Sequence, residues 1–207
     1  MFRSIRIKET NELVEQLDKI SDFRTELFDR DEKNGFVDFF PHIEKRTFLH
    51  PTVRLIGGVY ISKMCMIGPY AVIRLDEESY PDCVFIGEHT NIQDHVLIHA
   101  KHNYIGNRVN IAHHAIIHGS KVLDDSTVYI RSTLDHAKIG AGCFVDAHCY
   151  ISNVDVPDNT YVPPGSIITL QDQVKKLNDV DENKRKIHRE VQAANERHLI
   201  RYGGVII

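Results

Sequence analysis

One aliphatic residue recurs at every sixth position through most of this chain. The series runs Leu49, Leu55, Ile61, Ile67, Ile73, resumes at Ile86, Ile92, Ile98, and continues through Ile105, Ile111, Ile117. It goes on with Val122, Val128, Leu134, then Ile139, Val145, Ile151, and closes with Val156, Val162, Ile168. An α-helix repeats at about 3.6 residues and a half-buried strand at 2, so neither produces a period of six. A sustained hexad marks a parallel β-helix, in which three hexads close one triangular coil of about eighteen residues. The marked aliphatic of each hexad then points into the prism. Several are followed by glycine: Ile67-Gly68, Ile86-Gly87, Ile105-Gly106 and Ile139-Gly140.

The breaks in the period are as informative as the period. Thirteen residues separate Ile73 from Ile86, one hexad plus seven, so the stretch LDEESYPD leaves the prism as a loop. Seven separate Ile98 from Ile105, a one-residue bulge beside His99. The steps Ile117–Val122, Leu134–Ile139 and Ile151–Val156 are five, which tightens one corner of three successive coils. The pattern resembles the left-handed hexapeptide β-helix proteins; the hand is implied by that resemblance, since the period does not fix it. The expected fold is mainly β, a left-handed parallel β-helix over 46–169. An N-terminal helical extension over 1–45 precedes it, and a C-terminal α-helix and tail over 170–207 follow.

The extension contains Thr10 to Phe28, with Leu13, Leu17, Ile20, Phe23 and Leu27 at three- and four-residue steps. That spacing predicts an amphipathic helix with Thr10 or Asn11 as cap. The apolar run Phe36 to His42 follows a charged turn. Helix and aromatics are expected to pack on the side or open end of the prism, or to contact another subunit or partner. At the other end, Gln171 to Tyr202 reads as helical, broken near Asn178–Asp181 and ending before Gly203-Gly204.

Composition narrows the functional classes. The chain has 207 residues, 42% hydrophobic and 26% charged, with a formal charge of −4. These are ordinary globular values, and the charge argues against nucleic acid or an anionic membrane as main partner. No apolar run reaches the length of a membrane span, and Met1 to Glu15 has no signal-peptide core; a cytoplasmic location is expected. Four cysteines, Cys65, Cys83, Cys143 and Cys149, form no CxxC pair and read as buried free thiols rather than a disulfide framework.

Thirteen histidines are many for this length, and they cluster mid-ladder. His99 follows Ile98 and His118 follows Ile117, nineteen residues apart, one coil once the bulge is counted. They therefore share one side of the prism, one strand spacing apart, where two imidazoles can converge on one ion. His113, two after Ile111, leaves from the preceding side of its coil. In a threefold trimer one subunit's face meets its neighbour's other face, so His99 and His118 of one subunit are expected to meet His113 of the next. Three imidazoles with an open position make a catalytic zinc pattern; surface histidines in a His-rich chain are the plain alternative. Asp94 should stack beneath His113. Arg74 should share the side of His99 and His118. Gln93 and Asp76 lie close by, with Arg74 pairing Asp76 or Asp94 between subunits.

At these residues the chain resembles the γ-class carbonic anhydrases, in the branch of the archaeal prototype and the carboxysomal scaffold's N-terminal domain. The matching strings are Ile73-Arg74-Leu75-Asp76-Glu77, Asn91-Ile92-Gln93-Asp94, Leu97-Ile98-His99-Ala100, Ile111-Ala112-His113, Ile117-His118-Gly119 and Tyr161 to Thr169. The resemblance spans roughly 46–202 and implies a homotrimer with a metal at each interface. It implies His99, His113 and His118 as metal ligands, Arg74 and Asp76 as an intersubunit ion pair, and Asp94 as a neighbouring polar residue. Gln93 would orient metal-bound hydroxide, and Asn195 would approach the metal from the C-terminal helix. The implied reaction is attack of that hydroxide on carbon dioxide to give bicarbonate. Zinc is the expected ion, with ferrous iron or cobalt also compatible with three imidazoles.

The chain departs from the family pattern in one functional respect. The prototype carries a long acidic loop with a glutamate proton shuttle soon after the first ligand; here Ala100 to Tyr104 has neither the length nor an acid. His102 is the candidate relay, and Glu77 matches a second acidic residue of the prototype's site. Two other readings stay open on the same prism: a catalytically weak trimeric scaffold or assembly subunit, and a coenzyme A thioesterase or acyltransferase.

Overall fold

The computed structural model describes residues 41–75 and 83–201. The expected helix over 10–28, most of the apolar run 36–42, Asp76, Glu77 and Tyr202 lie outside the described residues.

The chain winds as a left-handed parallel β-helix of about seven turns. Three sheets form the sides of the prism. Sheet A has seven strands from His42–Ile43 to Asp155–Val156; sheet B has eight, from Phe48–Leu49 to Thr160–Val162 plus Asn178–Asp179. Sheet C has seven, from Arg54–Ile56 to Ile167–Ile168. All pairings are parallel except that of Asn178–Asp179 with Thr160-Tyr161. The prism starts earlier than position 46, because His42-Ile43 already pair in register with Tyr60-Ile61.

The marked aliphatics stack coil on coil: Ile73 pairs with Ile98, Ile98 with Ile117, and Ile117 with Leu134. All four are fully buried, and burying each such side chain contributes about 1.5–3 kcal/mol. Every irregular step in the ladder falls at the same corner, between sheets C and A. The long step from Ile73 to Ile86, the bulge after His99 and the three shortened steps all run from sheet C to sheet A. The other two corners keep the hexad, and from Met64 onward each is a turn whose second residue has positive φ. At the corner between sheets B and C these are Tyr70, His95, His114, Arg131, His148 and Gly165. Histidine tolerates this conformation better than most side chains, and His95 and His114 stack with ring centroids 4.7 Å apart. Part of the histidine excess is therefore turn chemistry.

Glycine after the inward residue is explained by close approach of the next coil. A Cβ on Gly87 would lie 2.6 Å from the Gly106 carbonyl carbon, and one on Gly106 would lie 2.8 Å from the Asp124 amide nitrogen. The buried cysteines fill positions that elsewhere hold a hydroxyl. Ser126 donates to the Gly140 carbonyl at 2.7 Å, and Thr90 to that of Gly106 at 2.7 Å. Cys65 and Cys143 donate in the same way to Gly87 and Pro157, each at 3.0 Å. All four cysteines are free, and Cys83 is half-buried. Burial pushes the Cys65 thiol up to about 12 and that of Cys143 to about 11, far from a thiolate nucleophile.

After the prism, helix α1 (Gln171–Val174) and the short strand Asn178–Asp179 precede helix α2 (Glu182–Arg201). The helical break expected near Asn178–Asp181 is thus a strand that caps sheet B. Helix α2 runs back along sheet B. Lys184 pairs with Asp146 and lies over the Phe144 and Tyr161 rings. Four residues on, the His188 Nδ1 lies 2.9 Å from the Thr127 hydroxyl. Gln192 then donates to the Asn110 side-chain oxygen at 3.0 Å, and Glu196 lies 3.6 Å from His89.

Candidate metal centre

Sheet C carries one column of side chains at its edge toward sheet A. Arg74, His99, His118, Asp135 and Ser152 are successive partners in the parallel register. Each follows an inward aliphatic, so the prism core sets their position. The imidazoles of His99 and His118 are half-buried, with centroids 4.7 Å apart and planes tilted by 34°. This is the pair expected from the spacing.

Buried polar groups pin the backbone behind that pair. The Asn103 side-chain amide donates to the His99 carbonyl at 2.9 Å, and the Ser120 hydroxyl to the His118 carbonyl at 2.8 Å. The Ser120 amide in turn donates to Asn103 Oδ1 at 3.0 Å. Asn103 is 2% exposed and Ser120 fully buried, so these bonds cost little competition with water and hold the corner rigid.

Above His118 sits an acid that the spacing of the histidines does not pick out. His118 Nδ1 lies 2.7 Å from Asp135 Oδ1, and His136 Nδ1 lies 2.7 Å from the same oxygen. The His118 hydrogen bond, aided by those from His136 and Ser152, outweighs burial and holds the Asp135 carboxyl below its ordinary range. An ionised carboxylate accepts, so His118 Nδ1 donates and Nε2 keeps the free lone pair. Asp135 was legible: it follows Leu134 as His118 follows Ile117, one coil on. Among the described residues, His118, Asp135 and His136 are also the three-donor group whose ligand atoms lie within 4.8 Å of one another.

His113 lies at the opposite edge of sheet C, at the corner with sheet B. Its Nδ1 is 3.8 Å from Asp94 Oδ2, which realises the expected stacking at a contact too long for a direct hydrogen bond. Gln93 precedes Asp94 at the same corner. A single chain therefore holds the expected residues as two separate groups, Arg74–His99–His118 at one edge and Gln93–Asp94–His113 at the other. The width of sheet C separates them. His102 is exposed at the bulge after His99. Asn195 lies on α2, where its Nδ2 is buried without a hydrogen-bond partner.

No family model matches this chain. It is 38% identical over 168 residues to the carboxysome assembly protein CcmM of Nostoc sp. PCC 7120, covering 74% of this chain and 30% of that protein. It is 29% identical over 166 residues to the carbonic anhydrase of Methanosarcina thermophila, covering 69% of this chain and 66% of the relative. The chain is a γ-carbonic-anhydrase-like hexapeptide-repeat protein. Among solved structures, a hexapeptide transferase family protein from Anaplasma phagocytophilum superposes with a TM-score of 0.66 at 23% identity, covering 78% of this chain and 92% of that one. That likeness speaks to the fold. No helix among the described residues is long and apolar enough to cross a membrane, which says nothing of β-barrels.

Proposed function

We propose that this γ-carbonic-anhydrase-like chain assembles as a homotrimer that binds one metal ion at each interface and hydrates carbon dioxide reversibly to bicarbonate. The observation that carries this reading is the division of the ligand set. His99 and His118 form an in-register pair at one edge of sheet C, while His113 waits with Asp94 at the other. A threefold arrangement brings one edge of each subunit against the other edge of its neighbour. His99 and His118 of one subunit and His113 of the next would then hold the ion.

The donors fit such an ion. His118 is locked by Asp135 with Nε2 available, in the carboxylate–histidine arrangement that orients metal ligands. Three neutral imidazoles suit zinc, with ferrous iron and cobalt as compatible ions. When bound, the ion supplies Lewis acidity that brings the pKa of a coordinated water near neutrality. The remaining work belongs to the chain. Gln93, beside Asp94 and His113, can orient a hydroxyl through its side-chain amide. Arg74, below His99, balances acidic groups at the interface. Asn195 has a spare donor for a polar group. The departing proton must reach solvent without an acidic loop, and exposed His102 is the relay assigned to this step.

Stopped-flow carbon dioxide hydration with metal analysis of the same anaerobically purified sample tests the reading. About one metal per subunit with rapid hydration, both lost in His99→Ala, is the expected result. A second reading is favoured by the similarity to carboxysome assembly proteins, of whose length the chain spans 30% for CcmM of Nostoc. In that reading the trimer is an assembly subunit, and metal occupancy without hydration is its signature. A thioesterase or acyltransferase on this prism finds no such support, since its structural neighbours share the fold.

A further inference from the structure

Three donors on adjacent coils turn toward one point at the corner between sheets C and A. His118 Nδ1 and His136 Nδ1 each lie 2.7 Å from Asp135 Oδ1. Ring orientation separates this group from the other histidine contacts. An imidazole lone pair lies in the plane of its ring, so parallel rings cannot share an ion. His95 and His114 stack at 1° and are excluded on that ground. The His118 and His136 rings instead meet edge to face, at 88° with centroids 4.8 Å apart, and their Nδ1 atoms converge on one oxygen.

The local backbone makes room for the His136 ring. The His136 amide donates to the His118 carbonyl at 2.8 Å, and a φ of 49° turns the chain at this corner. The ring then lies over Gly119, where a Cβ would stand 3.0 Å from its Cδ2 and Nε2. The far oxygen of Asp135 is held from the next coil: the Ser152 hydroxyl donates to Oδ2 at 3.2 Å and that of Tyr150 at 3.4 Å. Such support orients a metal-ligating carboxylate and leaves Oδ1 between the two imidazoles. The side chains of His136, His118 and Asp135 are 56%, 34% and 29% exposed, so an ion can enter and keep a water as fourth ligand.

We propose that His118 Nδ1, Asp135 Oδ1 and His136 Nδ1 form a zinc site that is complete within one chain. Two imidazoles, one carboxylate and a water are a tetrahedral zinc donor set, whereas magnesium and calcium call for more oxygen ligands. Tetrahedral ligands at about 2.0–2.1 Å from zinc stand about 3.3 Å apart. The two short contacts must therefore open by about half an ångström, a movement the exposed His136 side chain can make. Zinc replaces the two Nδ1 protons, and each neutral imidazole then carries its proton on Nε2. On the interface reading, His118 Nε2 is the atom that the shared ion needs, so zinc at this corner opposes loading there.

Neither His99 nor His113 takes part, so the site can be tested with those interface donors removed. The test uses full-length, tag-free protein carrying His99→Ala and His113→Ala, titrated with zinc against a chromophoric chelator. About one zinc per chain is expected. Adding His136→Gln should weaken binding about tenfold or more, since losing a direct donor costs at least as much as losing a supporting one. Cobalt in place of zinc should give the intense visible bands of a four-coordinate ion, lost with His136→Gln. Circular dichroism reports that the prism persists; if the double variant loses it, His113→Ala alone is compared with and without His136→Gln. Absence of zinc binding, binding unchanged by His136→Gln, or a six-coordinate cobalt spectrum would each overturn the proposal. The interface reading, which needs no contact from His136 to the ion, would survive any of these results.

Discussion

His118 Nδ1 and Asp135 Oδ1 face each other at 2.7 Å across one coil step of sheet C, each following an inward aliphatic of the ladder. The parallel register puts the two side chains a strand spacing apart on one face, and their rotamers close the contact. It fixes which nitrogen of His118 is free. Asp135→Asn should therefore weaken zinc affinity about 10–100-fold while leaving the β-helix circular dichroism unchanged. Competition with a chromophoric chelator measures this without reference to turnover.

His99 and His118 lie at one edge of sheet C and His113 at the other, so under the proposed shared site ligand mutants should complement. His113→Ala and His118→Ala, each inactive by itself, should recover activity when subunits are exchanged. Random mixing leaves about a quarter of the interfaces with all three imidazoles. Absence of recovery after subunit exchange verified by mass spectrometry would place all the ligands in one chain.

Acid should loosen α2 before it unfolds the prism. Burial lowers the His188 pKa, with Arg108 and Arg189 assisting and Asp125 opposing. For Asp146, burial raises the pKa, but the Lys184 hydrogen bond and those from the Ala147 amide and Tyr161 outweigh it, so the value is lowered. A folded-state pKa below the unfolded one stabilises above the unfolded value and is lost as pH falls through the folded value. His188 thus acts below about pH 6.5 and Asp146 below about pH 4. Amide exchange in 182–201 should rise over this window ahead of exchange in the core strands, and Asp146→Asn should remove the lower part of the response.

Gly106→Ala should destabilise by about 1–3 kcal/mol, as overpacking does in close-packed interiors. The added methyl would meet the Asp124 amide and the Leu123 carbonyl carbon at 2.8 and 3.0 Å, backbone that cannot swing aside. Thermal unfolding compared with Gly165→Ala separates the effects, since a Cβ on Gly165 has nothing within 4 Å and only its positive φ opposes the change.

Cys65 and Cys143 should stay unreactive toward a disulfide reagent at pH 8 until the protein unfolds, because burial raises both thiols well above that pH. Cys65→Ser should be nearly neutral, its hydroxyl donating to the Gly87 carbonyl as Thr90 does to that of Gly106.

How much was legible follows from the period. A hexad ladder maps sequence distance onto one prism side and one coil, so the adjacency of His99 to His118 and of Asp94 to His113 could be read before any coordinates. Asp135 obeys the same rule, yet a reading by histidines alone does not find it. His95 and His114 show the opposite error: part of the histidine excess belongs to left-handed turns, which composition does not distinguish from ligands.

By itself the sequence determined the prism and its register, and with it which side chains stack coil on coil, because stacked inward aliphatics leave no freedom to slip by one residue without turning the core outward. Only the tertiary structure decided that the Asp135 and His118 side chains close a hydrogen bond and that α2 lies on sheet B. These depend on side-chain rotamers and on which face an amphipathic helix finds uncovered, and neither has a period to be read along the chain.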